Sequence, residues 1–111
     1  MLIVKNPISI TIIKDKNSTF FETMVKIVVD IEREILALDA EMHADLEQLL
    51  LEEEAEQKDL WGANIYFEKP YDLEFTSLIN IRPAQGNRSM EVRDENIRRK
   101  MTDIVKKLIL L

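Results

Sequence analysis

The residues best suited to chemistry fall in a few short stretches. Arg82, Asn87, Arg88 and Ser89 stand close together around Gly86. A planar guanidinium can hold a carboxylate or phosphate through two parallel hydrogen bonds. A glycine loop running into a helix start can add backbone donors and the positive helix end. These four residues are therefore candidates for binding an anion, such as a phosphate- or carboxylate-bearing small molecule. A structural reading competes: Arg82 or Arg88 pairs with the acidic stretch 39–59 and locks the loop.

His43 is the only histidine, and with Asp45 it makes His-x-Asp. In a strand, residues two apart share one face, and a carboxylate there can fix the tautomer of a general base. Three readings stay open. His43 is a structural or surface histidine, a catalytic base with Asp45, or a metal ligand with Asp45, Glu47 or Glu41. Carboxylates are plentiful by composition alone, so no metal site is assigned, and short patterns of this kind discriminate weakly.

Trp61 and Asn64 flank Gly62. A glycine inside a strand marks a bulge or the close approach of another group. Trp61 either floors a pocket or fills the core with its N–H satisfied. Asn80 becomes a neighbour of Asn64 if the two surrounding segments pair, and a buried asparagine needs partners. Trp61, Asn64, Asn80 and Arg82 are thus candidates for lining a polar pocket in a sheet.

Other chemistry is excluded. There is no cysteine among the 111 residues, which removes disulfides, thiol nucleophiles and thiolate metal sites. There is no Walker loop, GxGxxG, HExxH, GxSxG or zinc-knuckle spacing, so no cofactor is expected. A net charge of −6 argues against nucleic-acid binding by bulk attraction to phosphate. The charge is unevenly spread: residues 30–59 hold twelve acids against two bases, and residues 82–107 hold eight bases against four acids. The split suits complementary surfaces within or between copies, or simply two solvated faces. RNA contact through 82–107 would have to overcome the acidic remainder. No segment has the roughly 18 apolar residues of a membrane span. The N-terminus lacks signal-peptide features. A cytoplasmic location follows as the default, without membrane partners.

The length suits a single domain over 1–111. Ile8, Ile10 and Ile12 alternate with Ser9 and Thr11, which predicts a short strand; Ser9 can instead cap a helical turn. Thr19-x-x-Glu22 fits a capping box. Phe21, Met24, Val25, Val28, Ile31, Ile35 and Leu38 then recur at helical spacing, predicting a helix over 19–37. Residues 39–59 read two ways, with Leu and Glu favouring helix and the alternation of 40–47 favouring strand. The segments 60–68 and 73–82 predict an antiparallel hairpin, followed by a turn at Gly86-Asn87. Asp94 caps a helix over 94–110.

Several strings carry a resemblance: His43-Ala44-Asp45, Leu60-Trp61-Gly62-Ala63-Asn64-Ile65-Tyr66, Ile79-Asn80-Ile81-Arg82-Pro83, Gly86-Asn87-Arg88-Ser89 and Val29-Asp30-Ile31-Glu32. Together, from about residue 20 to the end, they resemble an uncharacterised family of short prokaryotic proteins of unknown function. The resemblance implies a fold relationship and no activity. The chain departs from the family pattern where glycines stand in place of Asp39 and Ala40, and Gly-Ser near Ala55 and Glu56. Glycines there suit a hairpin turn, which tips 40–53 towards strand.

The expectation is an α+β fold: a three-stranded antiparallel meander sheet (about 40–53, 60–68 and 73–82) with two main helices on one face. Tyr66, Phe75 and Ile81 on its open face predict a homodimer or larger homo-oligomer. Two functions compete. The first is a non-catalytic binding or interaction module that self-associates. The second is a small enzyme or sensor for an anionic metabolite, with Arg82 and Arg88 as clamp and His43 with Asp45 moving a proton.

Overall fold

In the computed structural model, which describes residues 1–111, the elements follow as β1 (Leu2–Val4), β2 (Ile8–Ser9), α1 (Ile10–Lys16), β3 (Met24–Asp30), β4 (Ile35–Leu38), α2 (His43–Glu52), β5 (Leu60–Tyr66), α3 (Glu95–Leu108) and β6 (Ile109–Leu110). The fold is α+β, as expected, around a four-stranded sheet in the order β1-β4-β3-β5. All neighbours in it run antiparallel. The short β2 and β6 pair in parallel beside it.

The predicted helix over 19–37 is instead the hairpin of β3 and β4. The reason lies in burial. Val25, Ile27 and Val29 enter one apolar cluster with Leu36 and Leu38, while Val28, Ile35 and Ala37 enter another. A strand buried on both faces loses the apolar/polar alternation that marks a strand, and its apolar residues then fall at helix-like intervals by chance. The β-branched run Val25-Lys26-Ile27-Val28-Val29 carried the strand signal. The turn between the strands is built by Asp30, whose Oδ1 accepts from the backbone N–H groups of Glu32 and Arg33 at 3.1 and 3.0 Å. Thr19 caps no helix either: its N–H and hydroxyl donate to the Asp39 carboxylate at 2.8 and 2.9 Å.

Residues 40–53 are mainly helix, not strand. In α2, His43, Leu46 and Leu50 are buried, one stripe at helical spacing laid on the sheet. Asp39, just before α2, sits at φ 71°, and Glu54, just after it, also at φ 71°. Both are left-handed positions that glycine would fill more readily. They fall at or beside the places where the family pattern has glycine. These two left-handed residues close β4 and α2; they do not join two strands of a hairpin.

The predicted hairpin partner 73–82 forms no regular strand. Leu60–Tyr66 pairs with β3, from Met24 opposite Tyr66 to Asp30 opposite Leu60. The stretch after Leu73 makes one backbone bridge to β5, Asn64 to Glu74, then turns as a 3-10 segment over Leu78–Asn80. Gly86 makes the expected turn at φ 79°, closing a bridge between Arg82 and Asn87. Both readings of the N-terminal isoleucines hold in part: Ile8–Ser9 is a strand, and Ser9 then caps α1 by accepting from the Thr11 N–H at 3.1 Å.

The final helix is present as expected but ends at Leu108, where Ile109–Leu110 leave it as β6. Asp94 accepts from the Asn96 and Ile97 N–H groups, and Met101, Ile104, Val105 and Leu108 are buried. The α3 stripe packs with the Val25, Ile27, Val29 and Trp61 face of the sheet, and the α2 stripe with the Val28, Ile35, Ala37 and Leu60 face. Each fully buried Leu or Ile contributes roughly 1.5–3 kcal/mol relative to exposure. The two main helices therefore lie on opposite faces, not on one. The open sheet face behind the self-association argument is absent, and Phe75 is half-buried beneath the Arg98 guanidinium, 4.8 Å from its ring centroid.

Candidate functional site

The edge of β5 away from β3 has few strand partners, and side chains finish it. Gly62 bonds to Asn80: its N–H donates to Asn80 Oδ1 at 2.8 Å, and Asn80 Nδ2 donates to its carbonyl at 2.9 Å. Asn80 Nδ2 also reaches the Met90 carbonyl at 3.0 Å. One carboxamide thus replaces a stretch of β ladder. Asn87 knots the next loop: its Nδ2 donates to the carbonyls of Asn80, Ser89 and Glu91, and its Oδ1 accepts from the Arg93 N–H.

Arg82 is used up structurally. Nε donates to the Ile79 carbonyl at 3.0 Å, one terminal nitrogen to the Gln57 carbonyl at 2.6 Å and the other to Glu47 Oε2 at 3.2 Å. The guanidinium lies 4.7 Å from the Trp61 ring centroid. Burial lowers its pKa and Glu47 opposes the shift. This is the loop lock, with a residue of the acidic stretch as partner. Arg88 is exposed, and Ser89 Oγ accepts from the Glu91 N–H. The four loop residues do not converge into an anion clamp.

His43 and Asp45 are not brought together. On a helix, residues two apart point to different sides, so His43 is buried against the sheet while Asp45 is exposed. The His43 Nε2 lies 2.8 Å from the Ala63 carbonyl, which makes Nε2 the protonated nitrogen and leaves Nδ1 an acceptor. Desolvation by burial, aided by Lys26, lowers the His43 pKa against the opposing Ala63 bond, Asn64 and Glu74. The ring is therefore neutral near pH 7. Trp61 lies on the other sheet face, within the α3 core, and its Nε1 is buried without a partner.

Another set of residues does converge. A cavity of about 320 Å3 opens between the start of α2, the β3–β5 pair and the 76–79 turn. His43, Asn64 and Lys26 supply its polar wall with Thr76 and Ser77, and Met42, Leu78, Ile79 and Met90 its apolar one. Lys26 stands directly opposite Asn64 in the strand register. Asn64 is 7% exposed; its Nδ2 donates to Glu74 Oε1 at 2.7 Å, and its Oδ1 is buried without a partner. Gly62 lies behind this wall. A Cβ on it would meet Ser77 Cβ at 2.6 Å, Ser77 Oγ at 2.8 Å and His43 Cδ2 at 3.2 Å, so the missing side chain lets the turn and the imidazole close on the strand.

Of the residues singled out in the sequence, the cavity gathers His43 and Asn64. Asn80 supports its wall through Gly62. Lys26, Met42, Thr76, Ser77, Leu78, Ile79 and Met90 were missed. For Lys26 a signal existed: it is the one cation within a β-branched run. The methionines and hydroxyls had none, because Met42 at the start of α2, the 76–79 turn and Met90 come from separate segments. No group of three or more His, Asp or Glu side chains is placed to hold a metal ion, and no helix is long and apolar enough to cross a membrane.

The fold and site define a small α+β protein whose antiparallel sheet is covered on both faces and carries an amphipathic cavity at one edge. The chain belongs to the family described as a protein of unknown function, DUF5674, whose model matches residues 2–108. No curated protein and no solved structure matches it.

Proposed function

We propose that the protein is a non-catalytic binding module, and that its cavity takes a small ligand with an apolar body and an acidic end. The cavity itself carries this reading. It joins Lys26 and the polar residues His43 and Asn64 to an apolar wall, the mixture that small-molecule sites present. The anion partner anticipated for Arg82 and Arg88 passes to Lys26. Binding is favoured over proton transfer because Asp45 faces solvent and one His43 nitrogen is committed to Ala63.

The test uses the methionines as reporters. Protein labelled with 13C at the methionine methyls is titrated with a panel of carboxylated and phosphorylated metabolites. A ligand moves the Met42 and Met90 signals and leaves Met101, buried in the α3 core, in place. Ala44→Trp, on the exposed side of the cavity wall, abolishes the response. No movement at Met42 and Met90 across the panel overturns the reading.

A second reading, self-association, draws on the same surface. Met42 and Leu78 are 54% and 66% exposed at the cavity wall, and apolar rims mark interaction surfaces. Light scattering at tens of micromolar protein tests it, and a monomer mass there removes it.

A further inference from the structure

Resting on the binding reading above, we propose that the ligand is a free α-amino acid with an apolar side chain. The cavity holds two unanswered polar sets of opposite kind. One donates. Lys26 takes part in none of the molecule's four ion pairs, although it lines the cavity and is half-buried. Its ammonium has an aromatic neighbour, the Phe21 ring at 5.4 Å, which satisfies no hydrogen bond. Ser77 Oγ accepts from the Ile79 N–H, so its own proton remains to be given. These groups call for an anion.

The other set accepts. Asn64 Oδ1 is buried with no donor, and a buried carbonyl oxygen in that state is rare. One N–H of its amide nitrogen donates to Glu74, which fixes the nitrogen end and leaves the oxygen as the end without a partner. Glu74 adds a negative charge beside it. The neutral His43 ring, donating through Nε2 to Ala63, keeps an acceptor nitrogen. These groups call for a cationic N–H donor.

A simple acid answers Lys26 and leaves Asn64 Oδ1 unpaired. A simple amine does the reverse. A zwitterion answers both, and the wall of Met42, Leu78, Ile79 and Met90 receives an apolar side chain, methionine being the core residue that adapts most readily to different shapes. At about 320 Å3, the cavity sits at the small end of ligand pockets, matched to a single amino acid and not a peptide.

The test is a titration of the methionine-methyl-labelled wild-type chain with four probes that share a 3-methylbutyl group: L-leucine, 4-methylpentanoate, 3-methylbutylamine and 3-methylbutan-1-ol. L-Methionine and L-phenylalanine extend the side chain. At least one of the three amino acids binds at Met42 and Met90 at least tenfold more tightly than the acid or the amine. Lys26→Met removes the advantage over the amine, and Asn64→Leu the advantage over the acid. If 4-methylpentanoate binds as tightly as every amino acid, or other acids bind and no amino acid does, the amino-acid assignment fails and the acid-binding reading stands. If the amine or the alcohol binds best, both fail. Silence at Met42 and Met90 with these probes and with the metabolite panel also overturns both. The probe series runs on the wild-type chain alone, so a substitution that misfolds does not alter its outcome.

Discussion

The side-chain amide of Asn80 pairs with the backbone of Gly62 as another strand would, accepting from its N–H at 2.8 Å and donating to its carbonyl at 2.9 Å. Asn80 is fully buried. Its loss strands both Gly62 groups and takes one of two donors from the Met90 carbonyl, which keeps the Ser77 N–H. Unmet buried groups cost about 1–3 kcal/mol each. Asn80→Ala should therefore lower unfolding stability by about 3 kcal/mol or more, read from the urea midpoint at unchanged slope. A change below about 1 kcal/mol would show that the pairing holds nothing together.

Gly62→Ala should also destabilise, through crowding and not lost bonds. The new methyl would lie 2.6 Å from Ser77 Cβ, an overlap that forces the turn outward, and overpacking of this sort costs typically 1–3 kcal/mol. Removing the obstacle with Ser77→Gly should return part of that loss. In a double-mutant cycle, G62A and S77G together should be more stable than the sum of their separate effects allows.

Arg82 should matter to stability and not to ligand binding. Arg82→Lys loses the forked contacts to Gln57, Glu47 and Ile79 and the stacking on Trp61, and a point-like ammonium cannot reproduce them. The expected cost is about 2–3 kcal/mol, because the Ile79 carbonyl and the largely buried Glu47 carboxylate lose their donor while the Gln57 carbonyl keeps only the Leu60 N–H. Arg88→Ala, at an exposed position, should stay within about 0.5 kcal/mol. A folded R82K protein that no longer binds a ligand accepted by the wild type would restore the anion clamp.

Acid should weaken the fold through His43. Its folded pKa lies below the ordinary value of 6.5, chiefly through burial. Between that lowered value and 6.5 the unfolded chain holds a proton that the folded chain refuses, so stability rises with pH across this window. The contribution is complete above about pH 6.5 and is lost as pH falls towards the folded pKa. His43→Gln, which keeps a donor for Ala63, should show a shallower fall in melting temperature from pH 7 to pH 5. Parallel curves for the two proteins would contradict the assignment.

Glu54→Gly should stabilise. Glu54 follows α2 at φ 71° with an exposed side chain, and the left-handed region costs a non-glycine residue roughly 1–2 kcal/mol. Glycine gives back part of this in unfolded-state entropy. The net gain should be about 0.5–1 kcal/mol, seen as a rise of a few degrees in melting temperature.

The chain by itself determined what local forces decide. Asp94 and the stripe from Met101 to Leu108 specify α3, because a cap and a helical period act within a few residues. The strand formers of Leu60–Tyr66 specify β5, and Gly86 its turn, for the same reason. The tertiary structure decided the rest. Val25 to Val29 became a strand because both faces of the sheet are covered, which erased the alternation that would have announced it. His43 and Asp45 parted because α2 formed where a strand was expected; a helix stripe and a strand face select different residues. Arg82, an anion clamp by type, became a lock because Glu47 and the Gln57 carbonyl, far away in the chain, arrive beside it. The cavity was illegible for the same reason. Lys26, Asn64 and Leu78 meet only through strand register and the Asn80 bonds, and neither exists until the whole chain has folded.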